Sequence, residues 1–474
     1  MCLFLFGAVA NAQEFQFSNE GLQHYRKILN LNPGQARTIG GTTPSNEYIR
    51  AFAEAAELIL TEDQDKFASY EEAFDKRVNK KSGTASGANE LFLKAESHLH
   101  WMFVYLKFGR EFDAALQLRK AYLITREARR KFPTYKAILK TSGLINVIIG
   151  SVPDKYNWVL SLLDMQGDVS EGLNQLQTLA TSTHVLAREA TLWHAFILGF
   201  VLQQPREGLT EIAMVTTDSL LASDFLSANL YIKNSESEKA LERIRRMEQN
   251  IRPADFPYLF YLKAEVLLHK GLYSESIIAY EDFIQHYKGQ NYLKDSFYKI
   301  GICHWILDAK VSAEKSFATA KRTGKETTEA DKYASRALLE DVLPATPLIQ
   351  FRYYTDGGYY EEALAISRTL DAGKLTRPKD KLEFLYRQAR LYHKLDSLEK
   401  AVQLYQQTIN NDQDSGWYFA PNACLQLGYI SMDAGNIKEA RDYFNKALSY
   451  RRHEYKNSID SKARSALDQL KERR

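Results

Sequence analysis

Six segments in the second half of this 474-residue chain repeat one arrangement of small and large residues. A small residue recurs at Ala240, Ser276, Ala313, Ala363, Ala401 and Ala440. Successive members of this series are separated by 36, 37, 50, 38 and 39 positions. A small residue lets two helices approach closely, and a single helical pair cannot bury its apolar face alone. The period therefore predicts stacked helix–turn–helix units that share a continuous core.

The segment "ACLQLGYISMDAGNIKEARDYFNKAL", residues 423–448, resembles the tetratricopeptide repeat. The matching residues are Leu427, Gly428, Gly435, Ala440, Phe444 and Ala447. Phe444 is expected to fill the gap between two helices, and Gly435 to open the turn between them. The resemblance implies an all-α solenoid of helix–turn–helix units with a central non-canonical helical insertion. A tetratricopeptide repeat has about 34 residues, so the linkers here are slightly long.

The array of repeats is predicted to span residues 216–450. Its longest interval, between Ala313 and Ala363, predicts an inserted segment near residues 323–347. The final stretch, residues 451–474, is polar on one side. It is predicted to form a capping helix whose outer face meets water.

Residues 89–215 form a second region, with longer and more apolar helical patterns. Gly109 followed by Ala114 predicts a turn like those of the array. The stretch from Lys140 to Leu179 interrupts the pattern, and Gly167-Asp168 predicts the end of one helix and the start of the next.

This central stretch resembles the tetratricopeptide-repeat 39 family, which includes the fungal inclusion-body-clearance proteins. The matching residues are Gly143, Asn146, Ser151, Pro153, Leu162, Leu163, Gly167, Asp168, Gly172 and Leu173. The resemblance implies a helical solenoid that binds partners and has no established catalytic residues. We interpret these ten residues as structural.

The N-terminus carries an apolar run, Leu3 to Val9, followed by Ala10-Asn11-Ala12. Small residues at the first and third positions of that triplet fit signal-peptidase cleavage. Residues 1–12 are therefore predicted to be a truncated signal peptide, and residues 13–88 an N-terminal helical region. We expect an exported bacterial protein, periplasmic or associated with the outer membrane. No other apolar run reaches the roughly 20 residues of a membrane span, so no transmembrane segment is expected in the mature chain.

Composition and motifs argue against an enzyme. The formal net charge is +3 without a concentrated basic face, which disfavours nucleic acid as a partner. Phosphate-loop and nucleophile-elbow patterns are not found in the sequence. His98 and His100 are two positions apart and cannot share a helical face, so they do not suggest a metal site. The prediction is a non-enzymatic protein without cofactor or metal.

The concave face of such a solenoid is lined by the first helix of each unit. The residues predicted to bind a partner there are Tyr258, Tyr261, Lys263, Tyr298, His304, Arg387, Tyr392, Gln426 and Tyr429. Tyrosine offers a large contact area with a polar group, which suits recognition of proteins or peptides. Packing within the repeats is an equally weighted interpretation for each residue. The predicted function is a scaffold for protein or peptide partners in the cell envelope.

Two other functions remain open at this stage. The central apolar helices could enclose a lipid or another small molecule, which would make the protein a carrier. A helical nutrient-binding protein of the outer membrane is the second alternative. The absence of a convincing lipidation site at Cys2 and the regular repeats count against it.

Overall fold

The computed structural model describes residues 14–79, 87–152, 164–215, 220–340, 342–413 and 415–472. The residues described here form α-helices and short helical turns and contain no β-strand. The first ten helices are α1 (Asn19–Leu29), α2 (Pro33–Ala36), α3 (Pro44–Thr61), α4 (Gln64–Val78), α5 (Ala88–Lys107), α6 (Glu111–Lys131), α7 (Ile138–Gly150), α8 (Val169–Ala180), α9 (Ala187–Phe196) and α10 (Pro205–Val215). A π-helical turn, Ile197–Val201, continues α9.

Six helical pairs follow, as the period predicts. They are α11 (Leu221–Lys233) with α12 (Ser237–Glu248), α13 (Tyr258–Lys270) with α14 (Tyr273–His286), α15 (Leu293–Ile306) with α16 (Lys310–Arg322), α18 (Thr346–Gly357) with α19 (Tyr360–Thr369), α20 (Pro378–Lys394) with α21 (Leu398–Asn411), and α22 (Phe419–Asp433) with α23 (Ile437–Ser449). Each of the six small residues is the fourth residue of a second helix and is fully buried. The predicted all-α solenoid is thereby confirmed.

One backbone feature marks every turn within these pairs. The residue five positions before the small residue adopts a left-handed conformation in all six, at Ser235, Gly271, Asp308, Gly358, Asp396 and Gly435. Glycine adopts this conformation without steric cost, and aspartate tolerates it better than most residues. Gly109 before Ala114 and Gln203 before Gly208 repeat the same spacing in the central region. The predicted turn at Gly109 is confirmed, whereas the turn at Gln203 was not predicted.

The two helices of a pair approach closely because a small residue faces a large one. A Cβ added at Gly301 would lie 2.4 Å from the ring of Phe317, and one added at Gly428 would lie 2.4 Å from the ring of Phe444. Both pairs are sixteen positions apart. A side chain at either glycine would therefore force the helices apart or displace a ring.

The segment between the third and fourth pairs contains one further helix, α17 (Glu329–Ala337). Beyond it, α18 packs against α13, which lies two units earlier in the chain. The rings of Tyr353 and His269 lie 5.9 Å apart at this contact, and the Tyr359 hydroxyl donates to Glu238 at 2.8 Å. In a regular solenoid each unit contacts only its neighbours. The insertion therefore allows α18, in the second half of the array, to contact α13 in the first half.

The last helix, α24 (Lys456–Glu472), packs on α22 and α23. Its buried residues recur at intervals of three and four: Ile459, Ala463, Ala466 and Leu470. This spacing places them on one helical face, which covers the end of the array's core. Cys303 and Cys424 are both buried and free, so no disulfide joins them.

The central helices α7 and α8 cross at glycines of the family motif. A Cβ on Gly172 would lie 2.6 Å from the carbonyl oxygen of Gly143, and a Cβ on Gly167 would lie 2.7 Å from that of Asn146. Asp168 caps α8 by accepting a hydrogen bond from the Glu171 N–H. The other motif residues within the described part are Ser151, which ends α7, and Leu173, which packs on the core. Pro153, Leu162 and Leu163 lie outside the described residues.

We predict that Gly428→Ala destabilises the protein, although alanine favours a helix by about 1 kcal/mol over glycine. The new methyl group would meet the fully buried ring of Phe444, and overpacking of this kind typically costs about 1–3 kcal/mol. Urea unfolding should show a lower midpoint. Gly34→Ala is the control because its Cβ would meet no atom closer than 3.8 Å. An unchanged or higher midpoint for Gly428→Ala would contradict the packing account.

Candidate functional site: a cavity above a buried charge cluster

The nine residues predicted to bind a partner differ widely in accessibility. Tyr261, Tyr298 and Arg387 are buried. The Tyr261 hydroxyl donates to Asp295 at 2.7 Å, and Arg387 bonds to Asp356 at 3.1 Å and to the Tyr418 hydroxyl at 2.8 Å. Tyr261 and Arg387 therefore join neighbouring units of the array, and the ring of Tyr298 packs against Phe317 and Tyr333.

The other six residues are partly exposed: Tyr258, Lys263, His304, Tyr392, Gln426 and Tyr429. Five of them make side-chain contacts that leave part of the residue accessible. Tyr258 stacks on Tyr261, and Gln426 donates to the Asn422 side chain at 3.4 Å. Lys263 pairs with Glu248 at 2.7 Å, Lys400 lies 3.9 Å from the ring centre of Tyr392, and Tyr429 packs on Phe444. Their role in partner binding stays a prediction.

A different site lies in the central region, around the buried side chain of Lys140. Its ammonium Nζ lies 2.5 Å from Oε2 of Glu96 and 2.8 Å from Oε1 of Glu189. It also donates to the hydroxyl of Tyr48 at 2.7 Å. Lys140 and Glu96 are each 1% exposed in their side chains. An ammonium has three donors, so this one is fully satisfied by the protein.

Neighbouring hydroxyls complete the bonding of the two carboxylates. Thr141 donates to the second oxygen of Glu96 at 2.5 Å, and Tyr25 donates to the second oxygen of Glu189 at 2.7 Å. Nε2 of His100 lies 3.4 Å from Glu96. The cluster joins α1, α3, α5, α7 and α9. It is a polar network at the meeting point of five helices.

The charges of this network hold each other ionised. Burial alone would raise the pKa of Glu96, but the nearby Lys140 and His100 lower it to about 2. Burial alone would lower the pKa of Lys140, but Glu189 and Glu96 raise it above its ordinary value. A protonated lysine is not a nucleophile. The arrangement therefore does not equip Lys140 for covalent catalysis.

Glu96, His100 and Glu189 place three metal-ligating atoms within 4.8 Å of one another. The ammonium of Lys140 lies within hydrogen-bonding distance of both carboxylates and already places a positive charge between them. His98, the other histidine considered from the sequence, faces elsewhere and contacts Gln117 at 2.7 Å. In this arrangement the cluster is an internal ion network centred on a lysine.

Above the cluster lies a cavity of about 670 Å³. This volume is within the range of about 300–1,000 Å³ that is usual for small-molecule sites. Its apolar wall is formed by Phe52, Ile59, Leu99, Phe103, Trp193 and Phe196. Trp193 stacks on Phe103 at 5.6 Å, and His100 stacks on Phe52 at 4.7 Å. The central apolar helices thus enclose a space as well as packing together.

The cavity follows one face of α5. Glu96 lines it at one end and Lys107 at the other, eleven residues further along. At 1.5 Å per residue this face is about 16 Å long. The Glu96 end is closed by the buried cluster, whereas Leu106 and Phe196 at the other end are 44% and 38% exposed. The cavity is therefore deep, elongated and open at one end.

The open end lies where the central region meets the array. Glu62, at the end of α3, accepts hydrogen bonds from the Gln290 N–H and the Asn291 side chain, each at 2.8 Å. Lys107 pairs with the same carboxylate at 3.6 Å. Thr327, Thr328 and Glu329, at the start of the inserted segment, also line the cavity. The insertion thus contributes to the cavity's rim.

Comparisons with known proteins agree with the fold. The model of the tetratricopeptide repeat matches residues 382–415 and 421–454, which cover the last two helical pairs. The chain therefore contains tetratricopeptide repeats and is a helical solenoid of that type. Among curated proteins no relative of this sequence is found.

Solved structures that align along much of the chain have low identity. Human IFIT1, solved as a dimer with PPP-AAAA, is 12% identical, with 93% of this chain and 98% of that chain covered and a TM-score of 0.32. The Cut9–Hcn1 assembly of the APC/C is 10% identical, with coverages of 95% and 96% and a TM-score of 0.26. The TPR domain of P58(IPK) is 12% identical, with coverages of 80% and 97% and a TM-score of 0.22.

Within the described ranges, no helix is long and apolar enough to cross a membrane.

Lys140→Met is predicted to lower the free energy of unfolding by about 3–5 kcal/mol at neutral pH, because it leaves two buried carboxylates without a counter-charge. In the wild type the folded-state pKa of Glu96 is depressed, so its contribution is complete above about pH 5 and lost as the pH falls toward 2. In the variant, burial raises that pKa, so low pH favours the folded state. The difference in free energy of unfolding between the wild type and the variant should therefore shrink as the pH falls from 7 to about 4.

The measurement is urea unfolding of both proteins across that pH range. Lys76→Met is the control, since Lys76 forms an exposed pair with Glu72 and should matter little. A deficit that stays constant, or grows, as the pH falls would refute the charge-compensation account.

Proposed function

We propose that this protein is a non-enzymatic scaffold that binds a protein or peptide along the inner face of its array. The observation that supports this is the six helical pairs built on one turn geometry, whose first helices carry partly exposed polar residues. Surfaces of this kind present adaptable contacts to extended segments. We also propose kinship with the tetratricopeptide-repeat 39 family, because the motif glycines Gly143, Gly167 and Gly172 leave no room for a Cβ where α7 meets α8 and the residues before it.

The test uses the partly exposed members of the predicted set. His304→Ala, Tyr392→Ala and Gln426→Ala should each leave the fold intact, because these residues are not fully buried. Crosslinking and affinity capture from the native source should recover a protein partner that the three variants capture less well. Leu398→Ala, on an exposed position of a second helix, is the control. A partner that all three variants capture as well as the wild type does would overturn the proposed surface.

We propose that the protein acts in the bacterial cell envelope. The support is the apolar run followed by Ala10-Asn11-Ala12, which matches the pattern of export signals. The N-terminal peptide of the protein from its native source, identified by mass spectrometry, is expected to begin at Gln13. A protein that retains Met1 in the native source would contradict this location.

One observation favours a second function, that of a carrier for a small molecule. The central helices, proposed from the sequence as the wall of such a site, line the 670 Å³ cavity described above. The two functions are compatible because the inner face of the array and the cavity use different residues. The capture experiment and a ligand titration therefore test them independently.

A further inference from the structure

The closed end of the cavity combines an apolar wall with an unusual charge balance. Lys140 contributes one positive charge, and Glu96 and Glu189 contribute two negative charges. The formal sum is −1 with His100 neutral and zero with His100 protonated. In neither case is there positive charge left to compensate an anion. Bringing a further carboxylate or phosphate to this end would place like charges together in a region shielded from water.

The polar groups at this end are almost entirely satisfied within the protein. The three donors of Lys140 and both oxygens of each carboxylate have partners. The exception is His100, which is 9% exposed and lines the cavity. Its Nδ1 has no hydrogen-bond partner among the described residues. An unpaired buried nitrogen is energetically unfavourable, and a ligand that forms a hydrogen bond with it removes that cost.

When the imidazole of His100 is neutral, the position of Glu96 fixes what kind of partner this nitrogen takes. An ionised carboxylate only accepts hydrogen bonds, so the nitrogen of His100 that faces Glu96 carries its proton. In the neutral imidazole Nδ1 is then an acceptor, and its partner has to be a donor. A hydroxyl or an amine is a donor, whereas an ionised fatty acid is not.

We propose that the cavity binds an elongated apolar molecule that ends in a hydrogen-bond donor without negative charge, such as a long-chain alcohol or amine. Its apolar body lies between Phe52, Phe103 and Trp193, and its polar end meets His100. The 16 Å face of α5 accommodates an extended chain, and the exposed side chains of Leu106 and Phe196 mark the entrance. This inference does not depend on the array binding a protein.

The test is calorimetric titration of the full chain with three ten-carbon probes: 1-decanol, decylamine and decanoate. They share one apolar body and differ only in the terminal group. The alcohol or the amine is expected to bind at least tenfold more tightly than decanoate. Equal or tighter binding of decanoate, or failure of all three probes to bind, would overturn the proposal.

Two kinds of variant locate the site. Ala56→Trp fills the cavity from a partly exposed wall position and should abolish binding of the favoured probe. Leu106→Trp blocks the entrance at an exposed position and serves where Ala56→Trp fails to fold. Ala365→Trp, exposed on α19, is the matched control, and circular dichroism verifies folding. Unchanged binding in a folded cavity variant would overturn the location.

His100→Phe tests the polar end. The substitution keeps a ring against Phe52 and removes both nitrogens. Loss of one neutral hydrogen bond predicts about fivefold weaker binding of 1-decanol. The affinity for decanoate is not expected to fall. Equal affinity of wild type and variant for 1-decanol would show that His100 does not bind the polar end.

Discussion

The central region depends on the compensation of two buried carboxylates by one buried ammonium. Glu96, Lys140 and Glu189 come from three different helices, and their tyrosine partners bring in two more. Buried ions add little net stability compared with apolar residues of the same size, but they strongly penalise arrangements that separate them. The cluster therefore specifies which helices meet, and at what height along each axis. The cavity begins at this cluster and follows the face of α5 from Glu96 to Lys107.

The array rests on a different constraint, which is local. A left-handed residue, a tight turn and a small residue five positions later define each helical pair. Because each pair repeats the same geometry, neighbouring units stack on one another in the same way. The insertion around α17 breaks this regularity and brings α18 to α13. The start of this insertion also lines the rim of the cavity.

The two constraints explain what the sequence could and could not predict. The small residues of the array recur at nearly constant spacing, so the fold and all six helical pairs were accessible from the pattern alone. The turn at Gln203 was missed because neither its left-handed residue nor its small residue matches the usual glycine and alanine.

Lys140 was missed because a single charge beside an apolar helical run carries no periodic signal. Its partners are 44 and 49 positions away, and only the folded chain brings them together. Tyr261 and Arg387 have the residue types of a recognition surface, yet internal partners occupy their polar groups, and Tyr298 is buried as well. Sequence pattern does not reveal that a tyrosine has a buried aspartate as its neighbour.

The proposed binding of a ligand in the cavity can be measured without knowing the protein partner of the array. Native mass spectrometry of the protein, purified from its own source without detergent, would test this binding most directly. The account predicts that a part of the protein carries a bound apolar molecule that is neutral or cationic and ends in a hydroxyl or amine. A fatty acid or an anionic phospholipid held in its place would contradict the account, because the closed end of the cavity has no positive charge left to receive it.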